Sequence, residues 1–359
     1  MAARIQTMLE DQNREKNKIR AILTGIGDGV VALDPEGRIM LVNQAAELLF
    51  GRREEEVLGQ YSLSLVRNYR IDEVFTLVAE TSAMTVEEVR TGGDPEVILR
   101  VHGAPILTED RRLAGVVLVF RDISNIRQLE QIRTDFVANV SHEMKTPLTS
   151  IKGFVETLLD GALEDEQLCR RFLGIISQES ERLTRLIEDL LSLAKIEAPK
   201  FEVARQATDF TLVVNKVLEI IKPIAHSKDI SLHLQTAPDL PRVIIQEDLL
   251  GQILLNLIDN AVKYSPAHGR VEIYARLEDK VLVEVKDTGM GIPQDAQLRI
   301  FERFYRVDKA RSREIGGTGL GLSIVKHILD RYSQTITVRS DLGKGSSFIF
   351  TLEPEPVRG

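Results

Sequence analysis

Several short segments of the chain carry side chains whose types and spacing could do phosphorus chemistry together. In FVANVSHEMKTPLTSI, residues 136–151, His142 and Glu143 sit inside a helical pattern. Thr146, one turn on, shares the histidine's face. A neutral imidazole is a good nucleophile, and a neighbouring carboxylate can take its Nδ1 proton and leave Nε2 free to attack phosphorus. Glu143 is placed for that task, and Thr146 could orient a water for the reverse hydrolysis. Pro147 removes a helix hydrogen bond and should bend the helix just past the histidine. Alone, the segment also reads as a solvent-facing histidine on a kinked helix.

Downstream, QILLNLIDNAVKYS places Asn256 and Asn260 one turn apart on a helix, with Lys263 and Tyr264 a further turn on. Two carboxamide oxygens so spaced can hold a Mg²⁺ that bridges phosphates, while Lys263 neutralises phosphate charge. Ordinary amide hydrogen bonding on a helix surface is the competing reading. Asp287 ends the apolar run VLVEV and is followed by Thr288-Gly289-Met290-Gly291. A carboxylate at a strand end can accept the exocyclic amino group of adenine, and Gly289 and Gly291 let backbone approach the ring; a plain strand-ending turn is the alternative. Gly316-Gly317-Thr318-Gly319-Leu320-Gly321 then opens the helical run LSIVKHIL, an arrangement that cradles phosphate. It is not a dinucleotide fingerprint, because a charged loop rather than a strand precedes it, and it lacks the Lys-Ser/Thr pair of a P-loop. Gly343-Lys344-Gly345-Ser346 reads as a hairpin turn. FERFYR, residues 301–306, reads as an amphipathic turn with Phe301 and Phe304 packed inward. The polar, basic stretch 306–316 is suited to a mobile lid over phosphates.

These residues need scaffolding, and the apolar periodicity supplies it. From Ser124 to about Asp160, apolar residues recur at three- and four-residue steps. Phe172, Ile176, Leu183, Leu186, Leu190 and Leu193, with Glu179, then form a heptad seam. Two long helices with one short connection make an antiparallel hairpin, and pairing with a second copy buries its exposed face in a four-helix bundle. Residues 200–354 alternate helices (209–226, 246–264, 318–332) with strands (230–235, 270–276, 280–287, 335–340, 347–353), an α/β sandwich. A short linker around 197–200 should join two separately packed cores. Near the N-terminus, VVAL and IMLVN flank the turn Asp34-Pro35-Glu36-Gly37 as a hairpin, QAAELLF is helical with Gly51 as its cap, and EVILRVHGAPIL and RLAGVVLVFRDIS are strand-like. Residues 1–20 suggest a signalling or coiled-coil lead-in helix.

A length of 359 residues calls for more than one domain. The net charge of −8, with cations and anions interleaved, argues against a nucleic-acid surface. The single cysteine, Cys169, excludes an internal disulfide framework and reads as a helix residue of the bundle rather than a redox or flavin-adduct site. The five histidines other than His142 have no metal-ligand spacing. There is no signal peptide, and no window approaches 18 consecutive apolar residues, so the chain is expected to be cytoplasmic, with any membrane tether upstream of residue 1.

At this point a resemblance is plain. SHEMKTPL resembles the H box of sensor histidine kinases of two-component systems, NLIDNAVKYS their N box, DTGMGI their first glycine box, FERFYR their F box and GGTGLGLSIVK their second glycine box, all in family order. The resemblance implies a multidomain α+β protein: a helical dimerisation hairpin, then a Bergerat-type (GHKL) ATP-binding domain. It implies His142 as phosphoacceptor, Glu143 as its base, and a Glu143/Thr146 pair of the phosphatase pattern. Asn260 with Asn256 would contact Mg²⁺, Asp287 would read adenine, Tyr264 would flank it and Lys263 would meet a phosphate. Gly317, Gly319 and Gly321 would line the phosphates, with Gly289, Gly291, Arg303, Arg306, Thr318 and Leu320 among the nucleotide-binding positions.

The N-terminal part resembles a PAS domain, and the whole is similar to the cytoplasmic half of phosphate-sensing and cell-wall-sensing kinases. Expected boundaries are 1–20 lead-in, 21–122 PAS-like, 123–199 hairpin and 200–359 ATP-binding. Expected partners are a second copy of the chain, ATP with Mg²⁺, and the receiver domain of a response regulator; the PAS ligand is not legible. Two rivals are a GHKL ATPase of another kind, which leaves SHEMKTP unexplained, and a PAS-containing nucleotide-binding scaffold, which predicts a broken Asn256, Asn260 or Asp287 position.

Overall fold

The computed structural model describes residues 14, 18, 21, 23, 25–66, 68–92, 96–198, 203–307 and 317–356. Most of the expected lead-in helix and of the 306–316 lid lies outside them. Packing divides the chain into two units that part after Asp135.

The first unit is an antiparallel sheet with helices against it. Its elements are β1 (Gly29–Leu33), β2 (Ile39–Val42), α1 (Gln44–Phe50), α2 (Glu54–Val57), α3 (Ser62–Val66), α4 (Tyr69–Thr81), β3 (Thr85–Thr91), β4 (Val97–Leu107) and β5 (Leu113–Asp122). The sheet order is β2-β1-β5-β4-β3. The expected hairpin forms: Asp34 Oδ1 accepts from the backbone N–H of Glu36 and Arg38, and Gly37 takes a positive φ of 82°. Asn43 caps α1 through Ala46 N–H and ties it to β1 through Val30 N–H, at 2.9 and 2.8 Å. Gly51 ends the helix in the left-handed region, as its position suggested. The sequence reading missed α2, α3, α4 and β3.

Helix α5 (Ser124–Leu159) leaves this unit. It runs on through Pro147 without ending there, although the ring removes the helical donor for the Glu143 carbonyl. In the second unit a short turn connects α5 to α6 (Glu166–Glu197), which Asp165 caps through the N–H groups of Gln167 and Leu168. There follow β6 (Ala207–Thr208), α7 (Phe210–Ser227), β7 (Ser231–Thr236), β8 (Val243–Ile244), α8 (Glu247–Tyr264), β9 (Arg270–Leu277), β10 (Val281–Asp287), α9 (Gly321–Arg331), β11 (Ile336–Asp341) and β12 (Gly345–Leu352). The main sheet has the order β11-β12-β10-β9-β7, antiparallel except where β7 joins β9.

Period two sets the sheet's buried face: Val271, Ile273 and Ala275 on β9, Val281, Val283 and Val285 on β10, and Phe348, Phe350 and Leu352 on β12. The apolar stripes of α7, α8 and α9 close over that face in one core. The hairpin is not packed separately, contrary to expectation. Leu186, Leu193 and Ile196 of α6 are buried in the same core as the sandwich. Arg331 of α9 also donates to the carbonyls of Ile196 and Ala198 at 2.9 and 3.1 Å. The α6 seam has apolar surface that α5 alone does not cover, and its C-terminal part, with Leu186, Leu193 and Ile196, is buried with α9.

Candidate functional site

A cavity of about 400 Å³ opens between α8, the end of β10, the glycine segment before α9, and α6. Each wall follows from local pattern. Asp287 continues the inward register of Val281, Val283 and Val285, so it arrives at the strand end buried, 6% exposed. Its Oδ1 accepts from Gly289 N–H at 2.7 Å and Ser346 N–H at 3.1 Å. Burial pushes the carboxyl above the ordinary aspartate range, and these two N–H groups only partly oppose that. Among the described residues both donors go to Oδ1 and none reaches Oδ2.

On α8 the core takes Ile253, Leu254, Leu257, Ile258 and Ala261, which turns Asn256, Asn260, Lys263 and Tyr264 toward the cavity. Asn256 Nδ2 donates to the Gln252 carbonyl at 3.0 Å, and its Oδ1 faces Gly321, where an added Cβ would come within 2.6 Å. Two amide oxygens at helical spacing beside a phosphate-sized space form a hard-donor set that fits Mg²⁺. Lys263 pairs with Asp259 at 2.5 Å. Gly291 (φ 75°) and Gly319 (φ 76°) need glycine's left-handed freedom, and a Cβ on Gly291 would lie 2.0 Å from the Asp341 carbonyl oxygen.

Of the nominated nucleotide residues, Asn256, Asn260, Lys263, Tyr264, Asp287, Gly291, Arg306, Gly317, Thr318, Gly319 and Gly321 line this cavity. Three do not. The Leu320 side chain is fully buried in the core, and Gly289 sits behind Asp287, bonded to its carboxylate. Arg303 turns away to pair with Glu197 and to stack 5.2 Å from the Phe136 ring centroid. It is a strut between the F box and the hairpin, since Glu197 and Phe136 lie there, and it also meets His327 of α9 at 3.4 Å.

His142 is exposed on α5. The expected contact with Glu143 is not made. Successive residues of a helix point about 100° apart, and the Glu143 carboxylate is held by Arg182 at 3.0 Å and Arg306 at 3.3 Å. Arg306 also donates to the Gly317 carbonyl, so one guanidinium joins the histidine's neighbour to the glycine lip of the cavity. Thr146 Oγ1 donates to the His142 carbonyl at 3.1 Å. Sequence reasoning misses Arg185, Glu188 and Asp189, which α6 contributes to the cavity wall, and Ser346, whose local pattern marks only a turn.

Family comparison agrees with this layout. Residues 132–199 match the His Kinase A (phospho-acceptor) domain, residues 245–356 the histidine kinase-, DNA gyrase B-, and HSP90-like ATPase, and residues 17–123 the PAS fold. A sensor protein kinase WalK of Staphylococcus aureus is 34% identical over 373 residues, covering 99% of this chain and 86% of the relative. The chain belongs to the sensor histidine kinases. The WalK of Staphylococcus haemolyticus (strain JCSC1435) is also 34% identical, and the chain spans 58% of its length, as it does for the WalK of S. aureus strain Newman. Among solved structures, histidine kinase ThkA in complex with response regulator protein TrrA aligns with a TM-score of 0.54 over 94% of this chain and 99% of that one, at 23% identity. Among the described residues, no helix is long and apolar enough to cross a membrane.

Proposed function

We propose that the chain binds ATP with Mg²⁺ in the cavity, transfers the γ-phosphoryl group to His142, and passes it to an aspartate on the receiver domain of a response regulator. The observation that carries this reading is the Arg306 bridge, which joins the neighbour of an exposed histidine to the glycine lip of a cavity with a buried carboxylate at its base. Asp287 Oδ2 accepts the adenine amino group, and Tyr264 flanks the ring. Lys263 and the backbone N–H groups at the start of α9 hold the phosphates. Asn256 and Asn260 would hold Mg²⁺ through their amide oxygens, and the ion would supply neutralisation of phosphate charge.

For transfer, Glu143 leaves its arginines and takes the Nδ1 proton of His142. Nε2 then forms a bond to phosphorus, and the bond from phosphorus to the β–γ bridging oxygen breaks, releasing ADP. Thr146, on the same face, orients a water for dephosphorylation of the regulator. The exposed apolar side chains Val137, Leu148, Val155 and Leu159 of α5, with Leu173 and Leu191 of α6, support pairing with a second copy as a four-helix bundle. ThkA's capture with a response regulator supports docking of such a partner beside the histidine. We read 21–122 as the sensor domain, 123–199 as the phosphotransfer hairpin, 200–359 as the catalytic domain, and the cytoplasm as the working compartment.

Incubation with γ-labelled ATP tests the reading. The expected product is an acid-labile, base-stable label on the protein that His142→Gln abolishes. Hydrolysis of ATP without labelling would favour a GHKL ATPase of another kind and overturn the proposal.

A further inference from the structure

The wall that α6 gives the cavity is acidic where a nucleotide's phosphates would be. Thr318, in the middle of the glycine segment, donates its hydroxyl to Asp189 Oδ2 at 2.6 Å, across 129 residues of sequence. The same hydroxyl oxygen accepts from Leu320 N–H at 3.3 Å, so the threonine is fixed at the mouth of α9. Lys263 and Arg185 both act electrostatically on the Asp189 carboxylate, and burial nonetheless pushes its carboxyl above the ordinary aspartate range. Lys263, the cation nominated for phosphate, is meanwhile paired with Asp259. A carboxylate therefore sits on the hydroxyl that a triphosphate would use, and it comes from the hairpin rather than from the ATP-binding domain.

We propose that Asp189 is a tethered anion that competes with the nucleotide's phosphates for Thr318, so that docking of the hairpin on the glycine segment and binding of nucleotide exclude one another. This rests on the nucleotide-binding reading of the cavity and deepens it. A dianionic phosphate and a half-buried carboxylate cannot share one hydroxyl without strong like-charge repulsion. Nucleotide entry thus expels Asp189, and by linkage the docked hairpin weakens nucleotide binding by the same factor. The second clasp on the glycine segment is Arg306, held between the Gly317 carbonyl and Glu143. Loss of the Asp189 clasp frees the segment and, through Arg306, the carboxylate that His142 needs. Asp189 is a positioning residue on this account.

Calorimetric titration of the full chain with a non-hydrolysable imido analogue of ATP and Mg²⁺ tests it in four proteins. Wild type should bind, and Asp189→Asn, which keeps the shape and removes the charge, should bind about tenfold more tightly. Asp189→Glu, which keeps the carboxylate, and Glu181→Gln, which removes a charge of the same helix outside the cavity wall, should both stay within about twofold of wild type. Unchanged or weaker binding by Asp189→Asn overturns the proposal while leaving the nucleotide site intact. Equal tightening in Asp189→Glu would mean that altered packing is the cause, and equal tightening in Glu181→Gln that general charge is; either result overturns it. No binding by wild type would instead defeat the nucleotide reading, and this proposal with it.

Discussion

Arg306 and Glu143 are 163 residues apart in sequence, yet a guanidinium nitrogen of one lies 3.3 Å from a carboxylate oxygen of the other. Arg182 holds the same carboxylate at 3.0 Å. The residue expected to serve His142 as a base is thus detained by two arginines, one from the F box and one from the hairpin's second helix. The chemistry that the sequence suggests must begin by breaking these pairs.

Arg182→Met removes the closer of the two cations. Both partners are largely covered, so the hairpin should lose about 1 kcal/mol of stability. The initial rate of His142 labelling should nevertheless rise roughly threefold or more, because Glu143 is released more often. A rate equal to or below wild type, measured by quenched time points with labelled ATP, would show that Arg182 aligns Glu143 rather than restraining it.

Asp287→Asn should weaken ATP binding roughly tenfold to a hundredfold, since a charged acceptor of the adenine amino group is lost, and it should abolish preference for adenine over guanine. The pH dependence has a definite sign. Burial raises the native pKa of Asp287, so the carboxyl gains its proton at a higher pH than a free aspartate does, and ATP affinity should decline in that range as pH falls. Stability moves the other way. The native state binds this proton more tightly than the unfolded chain, so the stabilisation is full below the unfolded value and is lost as pH rises through the native one. Titrations of affinity and of chemical unfolding against pH, compared between wild type and Asp287→Asn, check both signs.

Gly345→Ala should damage fold and site together. Gly345 has φ 107°, and an added Cβ would stand 2.0 Å from the Asp287 carbonyl oxygen. The expected loss is about 2 kcal/mol or more, from backbone strain and displacement of the strand end. Gly343→Ala, at φ 77° with nothing near its Cβ position, should cost only about 1 kcal/mol and leave nucleotide binding unchanged. Urea unfolding with parallel binding titrations separates the two.

Asn256→Ala and Asn260→Ala should leave the fold intact, because neither side chain belongs to the core. Each should raise the Mg²⁺ concentration needed for half-maximal labelling by roughly tenfold or more, and chelation with EDTA should stop labelling in wild type. Unaltered Mg²⁺ dependence in both variants would remove the asparagines from the metal site.

Legibility in the sequence followed the range of the interaction. The inward register of β10 and the turn spacing of α8 are local periodicities, so Asp287, Asn256 and Asn260 could be placed before any fold was known. Within the first unit α4 also carried a helical signal, with Ile71, Val74 and Val78 buried at three- and four-residue steps, and it was overlooked. Strand β3 gave little to read: only Val89 of its seven residues is buried, so an edge strand lacks the alternation that marks a half-buried one. Arg303 was misplaced for a different reason. Its box suggested the nucleotide, whereas Glu197 and Phe136, supplied by the hairpin, decided where its side chain goes.

By itself the sequence determined the order of the elements that build the cavity, the chemistry-bearing boxes and the faces they occupy, because helix and strand periods translate residue spacing directly into direction. Only the tertiary structure decided that the hairpin shares a core with the sandwich, that Asp189 meets Thr318, and that Arg306 rather than His142 holds Glu143. Those pairings join segments more than a hundred residues apart. Such contacts are set by how whole layers bury their apolar faces, and no local period records them.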